Sequence, residues 1–316
     1  MPRPERILVT GGAGFIGSHL CDALLAEGHR VSVFDNFSSG KRSNLGTASA
    51  NLSIIEGDVR SLGDRCADIG DVDVIIHLAA LISGYESLTS AEDYFEVNVN
   101  GLLQVIRFAA DRGVPRIVFA SSSTVYGNRD GSELAEDILP EPLTVYALTK
   151  LTGEHLLRMY GALHGFSHCS LRLFNVYGPR QAPDHPYANV TCKFSHAVAN
   201  GLPVDLYGDG EQSRDFVYVG DVVAAFLAVL NGSDQSIYNI GTGRAARIID
   251  LISQLEAIAG TPLAVRQRDP WPNDIRSIRA DTSRFADEFD FRAEVPLADG
   301  LARTVEFFRE GGAHRS

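Results

Sequence analysis

Short apolar runs alternate with stretches of helical period through the first half of the chain. Ile7–Thr10, Val31–Asp35, Leu52–Glu56, Val74–Leu78 and Arg116–Ser121 are near-continuous apolar runs of strand length. That pattern fits strands buried on both faces better than half-exposed ones. Between them, Phe15–Glu27 reads as a helix closed by Gly28, Ala91–Arg112 as one long helix closed by Gly113 and Pro115, and Val145–His164 as a helix closed by Gly165. A glycine after the last periodic position is a common helix stop, because it enters the left-handed region without a steric penalty. Strands alternating with helices predict right-handed crossovers and a parallel sheet covered on both sides.

After a further strand at Ser167–Phe174 the pattern loosens. Pro179, Pro183 and Pro186 mark a long loop; Val190–Ala199, Val219–Leu230, Arg247–Ala259 and Leu297–Glu310 read as helices, and Val204–Tyr207 and Ser236–Ile240 as strands. There is no internal repeat and no low-complexity linker. The expectation is an α/β fold: a doubly wound parallel sheet over residues 1–175, with a return segment at about 215–245, and a smaller, interleaved substrate-binding domain over 176–316. Open sheets of this kind bind ligands in a cleft at the carboxyl ends of their strands.

Composition narrows the choice of partner. A formal net charge of −12 over 316 residues argues against nucleic acid, whose phosphates it would repel. Phosphorylated small molecules remain open to such a chain if backbone N–H groups and a few arginines are aimed at them. Cys21, Cys66, Cys169 and Cys192 show no paired spacing, so reduced thiols in a cytoplasmic protein are expected, with no metal site. The first residues lead directly into a strand with no secretory apolar core, and no apolar run reaches the ~20 residues that span a membrane.

The turn between the first strand and the first helix carries Gly11, Gly14 and Gly17 in the spacing G-x-x-G-x-x-G. Glycines there permit a tight turn and a close backbone approach to a pyrophosphate, which the helix N-terminus then faces with free N–H groups. This is the dinucleotide-binding arrangement of a Rossmann-like sheet. Asp35 closes the second strand, where a carboxylate accepts from the adenosine ribose hydroxyls and repels a 2′-phosphate. This favours NAD over NADP; Lys41 and Arg42 argue the other way but lie beyond a loop. Asp58 and Val59 follow the third strand and suit either an adenine contact or a simple strand-end cap.

Tyr146 and Lys150 are spaced i, i+4 on the predicted helix and so share a face. An ammonium beside a phenol favours phenolate, which predicts a general acid/base that works near neutral pH. The strand ending at Ser121 runs into Ser122, Ser123 and Thr124, hydroxyls at a strand's carboxyl end that can bond a substrate hydroxyl and share its proton with Tyr146.

With these residues in view, the chain resembles the extended short-chain dehydrogenase/reductases, in the NAD-dependent epimerase/dehydratase group. The likeness rests on Thr10–His19, Asp35–Gly40, Val74–Ala80, Asn98–Gly101, the hydroxyl run, Tyr146–Lys150, Arg172–Arg180 and Tyr207–Phe216, and it extends to Arg276. Within the group the chain is similar to the UDP-glucose 4-epimerases. The resemblance implies Ser122, Tyr146 and Lys150 as the catalytic set. It implies cofactor contacts from Gly11, Gly14, Phe15, Ile16, Gly17, Asp35, Asn36, Ser39, Gly40, Asp58, Val59, Leu78, Ala79, Ala80 and Asn98, besides Tyr146 and Lys150. For the nucleotide sugar it implies Ser122, Ser123, Thr124, Asn175 and Val190, with Arg214 and Arg276 on the diphosphate and Asp274 on ribose. Tyr207 matches an aromatic that stacks on the base, and an ordinary core aromatic is the alternative.

The reaction is read from an absence. Related 4,6-dehydratases carry Asp-Glu immediately after the catalytic Ser/Thr, and related decarboxylases keep the Glu; those positions here are Ser123 and Thr124. The resemblance therefore favours a 4-epimerase, acting on a UDP-sugar through transient oxidation at C4, over a dehydratase, a reductase or a non-catalytic cofactor sensor. It also implies a homodimer through the Ala91–Arg112 and Val145–His164 helices. One departure is Ile82, where related epimerases carry a Lys.

Overall fold

The computed structural model describes residues 5–46, 49–129, 131–184, 188–232, 235–270 and 276–311. In chain order its elements are β1 (Arg6–Thr10), α1 (Phe15–Ala26), β2 (Arg30–Asp35), β3 (Leu52–Glu56), β4 (Val74–His77), α2 (Ala91–Tyr94), α3 (Gly101–Arg112), β5 (Arg116–Ser122), β6 (Ser132–Leu134), α4 (Val145–His164), β7 (Ser167–Leu173), β8 (Asn175–Tyr177), α5 (Val190–Ala199), β9 (Val204–Tyr207), β10 (Ser213–Tyr218), α6 (Val219–Ala228), β11 (Gln235–Ile240), β12 (Ala245–Arg247), α7 (Ile248–Ala259), β13 (Val265–Arg268), β14 (Ile278–Ala280), α8 (Ser283–Phe289) and α9 (Leu297–Arg309). The chain divides into two compact units. The first is Met1–Gly127, Leu139–Arg172 and Val223–Tyr238; the second is Asn128–Ile138, Leu173–Val222 and Asn239–Ser316.

The first unit is built on a seven-stranded sheet in the order β11-β7-β5-β4-β1-β2-β3. Strand β1 pairs in parallel with both β2 and β4, and β4 pairs in parallel with β5. This is the doubly wound sheet expected from the alternating pattern. The strand order reverses between β1 and β4, which makes the end of β1 the topological switch point. Leu8, Ile75 and Ile117 of the strands pack with Leu102, Val105, Ile106 and Ala109 of α3 and Leu157 of α4 in one buried cluster. The α3 members recur at i, i+3, i+4 and i+7, one face of a helix.

The long helix predicted over Ala91–Arg112 is not continuous. Between α2 and α3 the backbone widens into a π-helical turn over Phe95–Asn100. Buried Asn98 sits in that turn with its amide bonded outside the helix, and such turns commonly accommodate a side chain that cannot fit regular α geometry.

The second unit holds three small sheets, β12-β10-β8, β13-β9 and β14-β6. Asp215, fully buried on β10, accepts hydrogen bonds from the Thr242 N–H and hydroxyl and from the N–H groups of Gly243 and Ala280, at 2.6–3.0 Å. One carboxylate thereby fixes β10 against the turn after β11 and against β14. Among the described residues, no helix is long and apolar enough to cross a membrane.

Candidate active site

The glycine turn is built as the spacing predicts. Gly11 has φ +73°, and a Cβ there would lie 2.7 Å from the Ala79 nitrogen, so a side chain would push the end of β1 off the segment following β4. A Cβ on Gly17 would run into the Gly11 carbonyl oxygen, so this glycine lets α1 seat on its own turn. Gly14 is the N-cap of α1, and no side chain caps it. The first-turn amides, among them those of Phe15 and Ile16, therefore face outward as an anion-binding end.

Asp35 is almost wholly buried, and its carboxylate accepts the N–H groups of Ala13 (2.9 Å) and Phe37 (2.8 Å). It thus braces the glycine turn, with further lone pairs left for a ligand. Gly40 packs on the Ala13 backbone; the Lys41 N–H and the Asn44 amide both donate to the Ala13 carbonyl. Asn44 was not singled out in the sequence. Ser39 is exposed on the same loop. Arg42 pairs with Glu56 at 2.6 Å and lies over the Phe37 ring, which occupies the cation that had argued for a 2′-phosphate.

Asp58 caps the turn that follows β3. Its carboxylate accepts the Arg60 N–H and guanidinium and the Asn36 amide, and these bonds hold its pKa down to about 2. The Val59 side chain belongs to the buried core, so only its backbone faces outward. Leu78 and Ala79 continue from β4, the Leu78 N–H bonded to the Thr10 carbonyl, and Ala80 follows half-buried.

Asn98 spends its amide internally. Its Oδ1 accepts the Leu81 N–H at 2.8 Å, and its Nδ2 donates to the Leu81 carbonyl and to the Thr149 hydroxyl at 2.9 and 3.0 Å. Thr149 in turn donates to the Tyr146 carbonyl at 2.7 Å. Both amide protons are used, so the cofactor contact implied for this side chain has no donor left. Asn98 instead holds the segment after β4 to the turn of α4 that carries Tyr146.

The catalytic set comes together on β5 and α4. Thr144 caps α4 by accepting the Ala147 N–H, which fixes where the helix starts and hence where Tyr146 points. Ser122 ends β5, and its Oγ accepts both the N–H (3.2 Å) and the hydroxyl (2.9 Å) of Thr124. With both lone pairs engaged, the Ser122 proton is directed elsewhere; its hydrogen bond to Tyr146 helps the phenolate form. Lys150 is buried, donates to the Ala120 carbonyl at 2.8 Å, and lies 4.9 Å from the Phe119 ring centre and 5.8 Å from that of Tyr146.

The electrostatics differ from the sequence expectation. Burial pushes the Tyr146 phenol up to about 12, against the opposing pull of Ser122. Burial also pushes Lys150 down to about 7. A phenolate near neutral pH is therefore not a property of the protein alone. Lys150 is buried and bonds a backbone carbonyl, while Tyr146 is half-buried on the first turn of α4. Ser123 is buried, while Thr124 is exposed beside Ser122.

Apart from Ser122, Ser123 and Thr124, the implied sugar-nucleotide residues that the structure describes lie on the second unit. Asn175 begins β8 and stands opposite Phe216 of β10; Val190 begins α5; Tyr207 ends β9. Arg214 lies on β10 with its guanidinium bonded to the Ser213 carbonyl at 2.9 Å. The Ser213 N–H bonds the Arg276 carbonyl, so the two arginines belong to adjoining segments. The Arg276 guanidinium is exposed and pairs with Asp209 at 3.0 Å. Asp274 lies outside the described residues.

A family model described as the NAD dependent epimerase/dehydratase family matches residues 7–241. A UDP-glucose 4-epimerase of Mycolicibacterium smegmatis is 38% identical over 311 residues, covering 96% of this chain and 98% of the relative. The solved UDP-N-acetylglucosamine 4-epimerase from Methanobrevibacter ruminantium superposes with a TM-score of 0.93 at 34% identity, over 98% of this chain and all of that one. The Thermus thermophilus UDP-glucose 4-epimerase in complex with NAD superposes with a TM-score of 0.89 at 36% identity, over 96% of this chain and 99% of that one.

Proposed function

The chain belongs to the NAD-dependent epimerase/dehydratase family, and from that membership we propose that it inverts C4 of a UDP-sugar, with the glucose/galactose pair as substrate. Its residues suit the cofactor: an uncapped helix N-terminus for the pyrophosphate and a buried carboxylate at the end of β2 for the ribose. When bound, NAD would supply the hydride chemistry at C4, as acceptor and then as donor to the opposite face. Tyr146 removes the proton of the 4-hydroxyl, directly or through Ser122, and later gives it back. Arg214, Arg276 and Asn175 hold the diphosphate and Tyr207 the base, so the nucleotide stays anchored while the sugar turns.

The observation that carries this reading is the hydroxyl loop. Ser122 lies within hydrogen-bonding reach of Tyr146, and the two residues after it, Ser123 and Thr124, offer no carboxyl group for the C5 and C6 proton transfers of a dehydratase. Names among the relatives include epimerases of UDP-glucose, UDP-N-acetylglucosamine and UDP-glucuronate, a UDP-N-acetylglucosaminuronate decarboxylase and a dTDP-glucose 4,6-dehydratase, and epimerase pockets for different sugars differ by contacts worth only ~1–3 kcal/mol each. The test is incubation with UDP-glucose, UDP-galactose, their N-acetyl forms and UDP-glucuronate, read by NMR of the C4 configuration without added cofactor. Tyr146→Phe is expected to abolish inversion while bound NAD is retained. Near-normal turnover by that variant would remove Tyr146 from the mechanism, and inversion of another pair alone would replace the sugar.

We also infer a homodimer. Leu148, Met159 and Leu163 of α4 are exposed, the last 70% so, and Leu88 and Phe95 are exposed near α2. Spaced by eleven and four residues, the α4 members share a face, and an apolar stripe on an enzyme surface suits a second copy.

A further inference from the structure

Behind the reacting pair lies a buried ion pair that the proposed chemistry does not use. Glu154 follows Tyr146 and Lys150 at the same i+4 step, on the same face of α4. Its carboxylate accepts two N–H groups of Arg172 on β7, from Nε at 2.9 Å and from an η nitrogen at 2.8 Å, and both side chains are at most 3% exposed. The same carboxylate accepts the Ser121 hydroxyl at 2.5 Å. Arg172 also stacks over the Tyr126 ring, 4.7 Å from its centre, and bonds to its phenol. Tyr126 is fully buried and ends the 3₁₀ turn Ser123–Tyr126.

Three successive residues of β5 thus meet three turns of α4: the Ala120 carbonyl with Lys150, the Ser121 hydroxyl with Glu154, and Ser122 with Tyr146. The ion pair grips the hydroxyl loop from both ends, at Ser121 before Ser122 and at Tyr126 after Thr124. Desolvating two charges costs about as much as their attraction returns, so a buried pair is a poor device for stability alone. What it adds is direction, because a two-point guanidinium–carboxylate contact fixes both partners in one plane.

We propose that Glu154 and Arg172 are positioning residues, which set the register of β5 and its hydroxyl loop against α4 so that Ser122 meets Tyr146. The proposal rests on the reading of Ser122 and Tyr146 as the reacting pair, and goes beyond it by assigning what holds them in register. A shift of ~1 Å in a reacting group costs up to ~100-fold in rate.

The test replaces the pair by apolar residues, E154L/R172M, an exchange that leaves folding stability near or above the original. Glu154→Gln, which nearly keeps the shape, serves as the second variant. The NAD-loaded protein is labelled at tyrosine Cζ with carbon-13, and the Tyr146 resonance is assigned by its loss in Tyr146→Phe. The expected result is that this resonance moves in E154L/R172M as it moves in Ser122→Ala, and moves the same way by less in Glu154→Gln. Per folded, NAD-loaded molecule, kcat should fall ~10- to 100-fold in the double variant while KM stays within ~3-fold. A Tyr146 resonance unmoved in the folded variants, or an unchanged kcat per loaded molecule, would overturn the proposal. Should the unaltered protein invert no sugar, the functional reading fails by itself, and the resonance still decides the positioning role.

Discussion

Protonation of His77 should account for a measurable part of the acid sensitivity of the fold. This histidine ends β4 with 1% exposure, its Nδ1 lies 2.7 Å from the Thr10 hydroxyl, and its ring stacks on Phe119 at 5.9 Å. Burial, with the nearby Lys150 charge as a second cause, pushes it down from 6.5 to about 3. A histidine whose folded pKa lies below its unfolded value binds fewer protons folded than unfolded throughout pH 3 to 6.5. Stability therefore rises with pH across that window, and the penalty is complete below about pH 3. At ~1.4 kcal/mol per pH unit, lowering the pH to 5 should remove about 2 kcal/mol through this one group. His77→Asn keeps a polar atom for Thr10 and cannot take up the proton. Urea midpoints of the NAD-loaded protein and the variant at pH 7 and pH 5, converted with a common slope, isolate the histidine, because every other titration is shared. The unaltered protein should lose about 2 kcal/mol more than the variant over that interval. Equal losses would show that the ring is reached by water or is already charged, and the burial argument would fall.

Two further outcomes follow from the surface arginine and the apolar stripe. Arg276 is exposed and pairs with an exposed carboxylate, so Arg276→Ala should leave Tm unchanged and raise KM for the nucleotide sugar about tenfold at constant kcat, as expected for an anchor used equally in the ground and transition states; steady-state kinetics check it, and a fall in kcat at unchanged KM would contradict it. If the inferred dimer forms through α4, Met159→Asp with Leu163→Asp should convert it to monomer in sedimentation velocity, and an unaltered sedimentation coefficient would refute that interface.

Much of this molecule is readable before any coordinate is seen, for identifiable reasons. Helix α4 runs over Val145–His164 as its pattern predicts, because Thr144 caps one end and Gly165, at φ +80°, closes the other. Strands β6, β8, β12 and β14 are three residues long, too short for a two-residue period to register, so the small sheets of the second unit pass unseen. The break in Ala91–Arg112 was hidden because Asn98 suits a helix in sequence and leaves it only for a partner at Leu81, seventeen residues away. Arg172 offered a signal that went unused: a guanidinium inside the apolar strand Ser167–Leu173 must find a buried acid, and Glu154, two turns beyond Tyr146 on the same face, was the nearest in register. The role of Asp58 stayed open in the sequence because a strand-end cap and a ligand carboxylate occupy the same place; the structure adds the cap, made with Arg60 two residues on.

The opposite pKa shifts of Tyr146 and Lys150 bear on how, in the proposed reaction, one residue would act as base and then as acid. Proton affinity in a buried pair is a collective property of everything that excludes water, which a motif of five residues does not contain. With the phenol near 12 and the ammonium near 7, the free protein holds Tyr146 protonated, and Lys150 alone does not ionise it. A phenolate becomes accessible when further positive charge enters beside the ring, and the oxidised form of the cofactor carries such a charge while the reduced form does not. In the proposed reaction Tyr146 would then give up its proton when C4 is to be oxidised and hold one when C4 is to be reduced. Ser122, its lone pairs spent on Thr124, donates to the phenolate in the first state. On that reading Tyr146→Phe removes the proton carrier on which both half-reactions depend.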